Sequence, residues 1–568
     1  MLWLQGGLLS AALLFGTSTA SQQHSSSAYW SAWHGPGGGW GNPWQWPGPR
    51  NYSDGPAGGY WLDQSRDILA TMQSTYWNGT YWPTTLQWEG ALISTIIATT
   101  ERYFTDALVA YQGNVPGART DAAQIQFDIR KYYSQIEAYY GGEDTIQIFD
   151  AAYDDAQWVV LEWLEAIKFV KQYDAYSKSS YGQQDIAYFA HRAHIFYNIV
   201  QDQFNTSLCE GGVDWNPALS VYKNAITNEL FVSSSIAMYL YWPGDISSDP
   251  YPSPDYTNKT LPPLPSLKIH DPLLLQNARE EWAWFKSHNF TNAQGLIVDG
   301  FHISDGQTTC DRRNEMVYTY NQGVMLSGLR GLWEATGDTT YLEDGYNLID
   351  TVISATGWHA PSWTQASEWA GLGRNGIMED YCDAPASCNQ DQSIFKGAYF
   401  RNLNLFCEPL PISAALVPGL TYTASPSLAD FHDRNCHGYA RWVQHNAYAA
   451  LCTRNSTSDI IGQWWGAPYF NKTQAPSPAY GLPIPEGSVD ICNDPGLLDS
   501  SPWKCDGRYG CEDYEYSGHL KRGGRSLGKR AADQERTVET QAQGLAVVNA
   551  AGAFTLKRKS YGEYVDGR

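Results

Sequence analysis

Basic side chains are scarce in this 568-residue chain, where 37 Lys and Arg stand against 59 Asp and Glu. The formal net charge of −22 argues against general nucleic-acid binding, which needs a basic surface to displace counterions from phosphates. Phosphate-binding Gly-rich motifs are absent. The N-terminal apolar run, Leu8 to Phe15, is too short to span a bilayer. The sequence therefore predicts no nucleic-acid partner and no stable membrane span.

A metal site also lacks its ligands. His191 and His194 are three residues apart on a predicted helix, as metal ligands can be, but the sequence shows no third ligand near them. We therefore expect no metal and no other cofactor.

The N-terminus and the cysteines indicate export. Residues 1–20 have an apolar run and end on small residues, which is typical of a signal peptide cleaved after Ala20. Ten cysteines favour an oxidising compartment, and Cys382 with Cys388 and Cys505 with Cys511 could form local bridges. Seven glycosylation sequons agree with a secreted, extracellular or cell-wall location, at Asn51, Asn78, Asn205, Asn258, Asn289, Asn455 and Asn471.

The rest of the chain divides into a leader, a domain and a tail. Residues 21–59 are rich in Gly, Pro and Trp and predict a flexible leader. Residues 60–475 carry helical periodicity without convincing strands, which predicts one all-α domain. The basic residues of 476–568 predict a disordered tail, with Cys residues in its first part. Eleven helices are expected, at about 60–75, 86–104, 121–138, 153–172, 181–204, 223–241, 273–288, 314–335, 340–354, 393–408 and 427–453.

Two adjacent aspartates, Asp154 and Asp155, begin a predicted amphipathic helix, whose apolar residues recur at helical spacing. A helix N-terminus favours negative charge, so the pair could simply cap the helix. Two carboxyl groups about 5–6 Å apart are also what retaining glycosidases use. Like charges that close cannot both ionise easily, so one would act as nucleophile while the other donates a proton.

Two other enzyme classes have acidic motifs similar to this pair, and the sequence matches neither motif. A magnesium-binding DDxxD cluster would need an acid where Trp158 stands. A DxDD acid of the helical-barrel cyclases would need acids where Ala152 and Tyr153 stand.

Five motifs resemble glycoside hydrolase family 76, the α-1,6-mannanases, together with related fungal wall enzymes that process GPI-anchored glycoproteins. They are YDDAQW at 153–158, CEGGVDWNP with YKNAITNELF at 209–231, VDGFHISDGQTTC at 298–310, VYTYNQGVMLSGL at 317–329 and CDAPASCNQDQSIFKG at 382–397. The resemblance implies an (α/α)6 toroid, which needs twelve helices, one more than the eleven expected. It also implies that Asp154 is the nucleophile and Asp155 the general acid/base.

The first hypothesis is a secreted retaining endo-α-1,6-mannanase acting on α-mannan or mannooligosaccharide. Aromatic and amide side chains suit sugar faces and hydroxyls, although the amides at a helix start could instead form a capping network. A transglycosidase acting on mannan or a GPI-glycan and a non-catalytic glycan-binding wall protein are the alternatives. The candidate substrate-binding residues are Trp88, Trp215, Asn224, Asn228, Tyr320 and Asn321.

Overall fold

The computed structural model describes residues 58–111, 118–250, 261–358, 369–384, 386, 388–468, 488 and 536–565. All of them fall in one compact unit, Gly55–Arg568. The expected signal peptide, nearly all of the leader, the Cys505 and Cys511 pair and most of the expected tail lie outside the described residues.

Thirteen helices and five short strands occur in the described part of the chain. The helices are α1 Gly58–Tyr76, α2 Gln87–Ala110, α3 Ala122–Ala138, α4 Thr145–Ile148, α5 Tyr153–Ser177, α6 Ile186–Val200, α7 Ala225–Tyr241, α8 Pro272–Ser287, α9 Val324–Thr336, α10 Thr340–Ala355, α11 Phe395–Phe406, α12 Pro426–Cys452 and α13 Val538–Val565. Strands β1 Tyr222–Asn224, β2 Gly300–His302 and β3 Arg312–Asn314 form an antiparallel sheet, and β4 Gly373–Arg374 pairs with β5 Ile377–Met378.

Six of the helices form a closed inner ring. Helix α2 packs on α5, α5 on α7, α7 on α9, α9 on α11, α11 on α13, and α13 returns to α2. The outer helices pack against this ring, with α3, α6, α8 and α10 on α2, α5, α7 and α9, and with α1 and α12 on α13. Because outer and inner helices alternate along the chain, the fold is an (α/α)6 toroid, as predicted.

The inner helices all run in the same direction. Near their starts, the Gln390 side chain donates to Glu89 on α2 and to Glu539 on α13. Farther along, Glu165 on α5 pairs with Arg102 on α2 and Arg401 on α11, at 2.6 and 2.8 Å. Six helix N-termini therefore meet at one mouth of the ring, where their dipoles favour negative charge.

Helix α13 corrects the predicted domain boundary at residue 475. The sequence predicts a disordered tail that includes Val538–Val565, yet this segment supplies the sixth inner helix and buries Val538, Leu545 and Val548 completely. It carries no strong one-sided apolar pattern because an inner helix is covered by neighbours all round. The twelfth helix that the toroid requires is this one.

The structure corrects one smaller prediction and confirms another. The helix expected at 314–335 begins only at Val324, because the chain first completes β3 and a 3-10 turn at Tyr320–Gln322. The local bridge Cys382–Cys388 is confirmed, and Cys209–Cys310 and Cys407–Cys436 are also bonded. Within the described residues, none of the helices is long and apolar enough to cross a membrane.

Candidate active site

Asp154 and Asp155 lie in the first turn of α5, at the mouth of the inner ring. A tight turn places them there: Asp150 and Ala151 both have positive φ, at 47° and 63°, before the chain enters the helix. Such conformations are unfavourable for residues with a side chain and persist where the surrounding structure holds them. The carboxyl groups are therefore positioned by the loop as well as by the helix.

Asp154 is the better stabilised of the two as an anion. Its side chain is largely buried, Oδ1 accepts a hydrogen bond from the Asp155 backbone N–H at 3.1 Å, and Trp215 donates a second. Trp215 is fixed beside α5 because its carbonyl accepts from the Tyr153 N–H at 2.9 Å. Hydrogen bonds to a carboxylate favour its charged form.

The two carboxyl groups hold their protons with different strength. Burial raises the pKa of Asp154 to about 7, against the lowering effect of its hydrogen bonds. Burial raises the pKa of Asp155 well above its usual range, and the charges of Asp154, Asp391 and Asp150 raise it further. Asp154 therefore ionises first and Asp155 keeps its proton, which is the division of roles that an acid and a nucleophile require.

Three of the predicted aromatic residues lie with this pair. Trp88 stacks on Trp158 of α5 with ring centroids 5.8 Å apart, and Trp215 bonds Asp154. Tyr320 lies flat on Phe395 at 3.8 Å, and its pKa is raised by burial and by the charges of Asp299 and Asp154 among others. Aromatic rings from three separate parts of the chain therefore lie near the carboxyl groups.

The three predicted asparagines are buried and bond to other parts of the protein, and the capping alternative applies to Asn224 and Asn228. Asn224 caps α7 by accepting from the Thr227 N–H at 3.2 Å. Asn228 is fully buried, with its oxygen on the Val213 N–H at 2.7 Å and its amide on the carbonyls of Val213 and Asn224. A side chain with all its polar groups engaged has none to offer a sugar.

Asn321 is likewise fully buried. It donates to Asp299 at 3.2 Å, in a network where Asn314 also donates to Asp299 at 3.2 Å and the Tyr222 hydroxyl donates to the same carboxylate. These contacts join the sheet to the turn before α9. Its role in the structure is therefore to support the turn that carries Tyr320.

Sequence reasoning missed Asp299, Asp391 and Glu539. Asp299 and Asp391 lie within motifs that the sequence displayed, VDGFHISDG and CNQDQSIFKG, but nothing in the letters marked them as neighbours of Asp154. Glu539 lies on α13, in a segment not expected to be folded. Only the closure of the ring brings the three toward one mouth.

Two clusters of side chains contain the residue types that bind metals, but their polar atoms already contact other groups of the protein. Cys382, Asp383 and Cys388 lie close together, but the cysteines are bonded to each other and Asp383 pairs with Lys396 at 2.7 Å. His191 and His194 both direct Nδ1 at one oxygen of Asp245, at 2.7 and 2.9 Å. Both groups are held by contacts within the chain.

Fold and site together define a helical toroid with a pair of unequal carboxyl groups at the mouth of its inner ring. The family model of Glycosyl hydrolase family 76 matches residues 269–471. Over these residues the chain is similar to this family. The matched residues include Asp391 but not the Asp154 and Asp155 pair.

Relatives with known names are distant. The chain is 30% identical over 116 residues to mannan endo-1,6-alpha-mannosidase DCW1 of Candida glabrata, covering 20% of this chain and 22% of that protein. It is 27% identical over 208 residues to the protein of the same name from Saccharomyces cerevisiae, covering 36% and 35%. The chain thus spans less than half the length of these curated relatives. Among solved structures, Dfg5 from Chaetomium thermophilum in complex with glucosamine has a TM-score of 0.48 at 13% identity, covering 88% of this chain and 90% of that one.

Proposed function

We propose that the protein is a retaining endo-α-1,6-mannanase that hydrolyses α-1,6-linked mannose backbones. The observation that carries the proposal is the pair of adjacent carboxyl groups that differ in how strongly they hold a proton. The names of the curated relatives support the same substrate, because both are mannan endo-1,6-alpha-mannosidases.

The reaction uses each carboxyl group in its preferred state. Ionised Asp154 attacks the anomeric carbon and forms a glycosyl ester, while the Asp155 proton passes to the oxygen of the leaving sugar. Asp155, now charged, then takes a proton from water, and the resulting hydroxide attacks the anomeric carbon and releases Asp154. Two substitutions occur at the anomeric carbon and each inverts it, so the final configuration is the same as at the start.

Aromatic side chains at the mouth bind the sugars on either side of the cleaved bond. Trp88, Trp215 and Tyr320 offer apolar ring surface, which suits the C–H faces of mannose. The acidic residues at the mouth do not repel mannan, because this polysaccharide is uncharged.

The proposal is tested with Asp154→Asn and Asp155→Asn on unbranched α-1,6-mannan. Each variant keeps the size of the side chain and removes its acid–base or nucleophilic function, so kcat should fall by about 10²–10⁴-fold. Asp344→Asn is the matched control, because Asp344 pairs with Lys286 on the outer helices and should leave activity unchanged. Full activity in both site variants would contradict the proposal.

Product analysis separates hydrolysis from the two alternatives. Hydrolysis releases reducing ends, whereas a transglycosidase hands the same intermediate to a sugar hydroxyl and yields longer chains. A non-catalytic glycan-binding protein would bind mannan without turnover, and its binding would survive replacement of both aspartates.

We also propose that the protein is secreted and acts outside the cell or in the wall. Three disulfides favour an oxidising compartment. The sequon residues Asn78, Asn205 and Asn289 are exposed, as attachment of a glycan requires. Mass measurement of the exported protein before and after removal of N-glycans would test this placement.

A further inference from the structure

A third acidic residue, Asp391, is held at the mouth by dedicated contacts. It opens the 3-10 turn Asp391–Ile394 that leads into α11. One carboxylate oxygen accepts from Trp88 Nε1 at 3.1 Å and the other from Asn389 Nδ2 at 3.0 Å. Both oxygens thus have a donor, while the residue stays partly exposed.

Trp88 ties this carboxylate to the helix that carries the reacting pair. Its ring stacks on Trp158, one helical turn after Asp154 on α5. On the other side, Phe395 lies one turn after Asp391 and stacks under Tyr320. Asp391 is therefore hydrogen-bonded to one ring at the mouth, and the helix that follows it supports a second.

A second layer of acids lies behind Asp391. Gln390 donates to Glu89 at 3.0 Å, to Glu539 at 3.1 Å and to the Thr84 carbonyl at 2.6 Å. Glu89 and Glu539 are almost completely buried, which raises the pKa of both. Helix α13 thereby fixes the residue next to Asp391 from the far side.

The charges acting most strongly on the reacting pair are carboxylates. Asp155 faces Asp154 on its own helix, Asp391 from the turn before α11 and Asp150 from the turn before α5. Asp154 faces Asp391, and Asp391 faces Glu539 of α13. Glu89 of α2 also faces Asp391, and the Tyr320 hydroxyl faces both Asp154 and Asp391 and stays neutral.

We propose that Asp391 is a positioning residue for the proposed glycosidase: its fixed carboxylate repels negative charge on Asp155 and so keeps the acid proton there until the leaving oxygen takes it. This inference rests on the function proposed above. Burial raises the pKa of Asp391 to about 6, so the repulsion acts from mildly acidic pH upward. Asp391 itself exchanges no proton with the substrate.

The test is the pH profile of kcat/KM on unbranched α-1,6-mannan. Activity needs Asp154 ionised and Asp155 protonated, so the profile has an acid limb and a basic limb. Asp391→Asn removes a negative charge that raises both pKa values, and both limbs should move to lower pH by about one unit. Asp391→Glu keeps the charge and should keep both limbs in place.

Trp88→Phe and Asp344→Asn are the controls. The first removes the hydrogen bond but leaves the charge on Asp391, so the rate should fall while the basic limb stays. The second is an Asp→Asn change far from the mouth and should leave the profile unchanged. Limbs of Asp391→Asn that coincide with those of the wild type would overturn the proposal.

A measurement without substrate keeps the proposal separate from the proposed function. Infrared difference spectra against Asp155→Asn report the protonated Asp155 carboxyl. As pH rises, this band should vanish at a lower pH in the Asp391→Asn protein than in the wild type. If Asp391→Asn does not fold, Asp391→Ser removes the same charge and offers a hydroxyl oxygen that can accept from Trp88 Nε1. Absence of mannan cleavage by the wild type would refute the mannanase, whereas an unshifted Asp155 band would refute the role of Asp391.

Discussion

Adjacent aspartates on one helix turn acquire different chemistry from their hydrogen bonds. Asp154 accepts from the Asp155 N–H and from Trp215, whereas Asp155 is surrounded by the carboxylates of Asp154, Asp391 and Asp150. The sequence predicts the split from the repulsion between two close like charges, but it does not assign the order of the roles. The neighbours that decide the order come from other parts of the chain.

A protonated, partly buried Asp155 should make the protein less stable at high pH. Its pKa is raised in the folded state, so stability is full below the unfolded pKa of about 4 and is lost as pH rises through the folded value. Asp155→Asn removes this loss and should raise Tm by about 2 °C or more at pH 8, with a much smaller effect at pH 4. Thermal melts at both pH values check this, and an equal change at both would contradict it.

Inner and outer helices have different patterns of apolar residues in the sequence. Outer helices such as α3 bury one face and show the periodicity that sequence reasoning detects. Inner helices such as α7 are buried on nearly every side, and α13 carries small residues where its neighbours come close. Five of the six inner helices are nevertheless predicted from the sequence, and α13 is the one that is not.

A glycine on α11 allows the close approach of α13. A Cβ at Gly397 would lie 2.8 Å from the Cα of Gln543, and backbone cannot move aside as a side-chain end can. Gly397→Ala should force the helices apart and lower the free energy of unfolding by about 1–3 kcal/mol. Chemical denaturation measures this, with Ser134→Ala on the exposed face of α3 as the control for a small substitution. Unchanged stability in Gly397→Ala would show that the ring can expand there.

The whole molecule is closed by residues near the end of the described chain. Helix α13 packs against α1, α2, α11 and α12, so four other helices depend on it for burial. The predicted boundary at 475 would have left the inner ring with five helices and an open side.

Truncation after residue 475 should therefore prevent folding. Removing α13 exposes the apolar surfaces of α2 and α11 and deletes Glu539 from behind the mouth. We expect the truncated chain to aggregate or to lack a cooperative thermal transition, whereas deletion of residues 566–568 should have no effect. Circular dichroism and size-exclusion chromatography distinguish the two results, and a cooperatively folding, active truncation would show that the ring does not need its sixth member.

About half of the candidate site could be predicted from the sequence. Asp154, Asp155, Trp88, Trp215 and Tyr320 were chosen on motif and residue type, and the structure brings them to one mouth. Asn224, Asn228 and Asn321 were chosen by the same reasoning, but they bond backbone and buried acids. An amide side chain near a helix start suits both uses, and only its surroundings separate them.

The sequence by itself determined eleven helices, the all-α class and the place of two acids at a helix start, because periodicity and end preferences are local properties. The tertiary structure decided that α13 closes the ring, that Asp391 and Glu539 approach the pair, and which carboxyl group keeps its proton. Those outcomes depend on contacts between residues up to several hundred positions apart, such as Trp88 with Asp391. Burial and charge act through space, and no local pattern of letters encodes them.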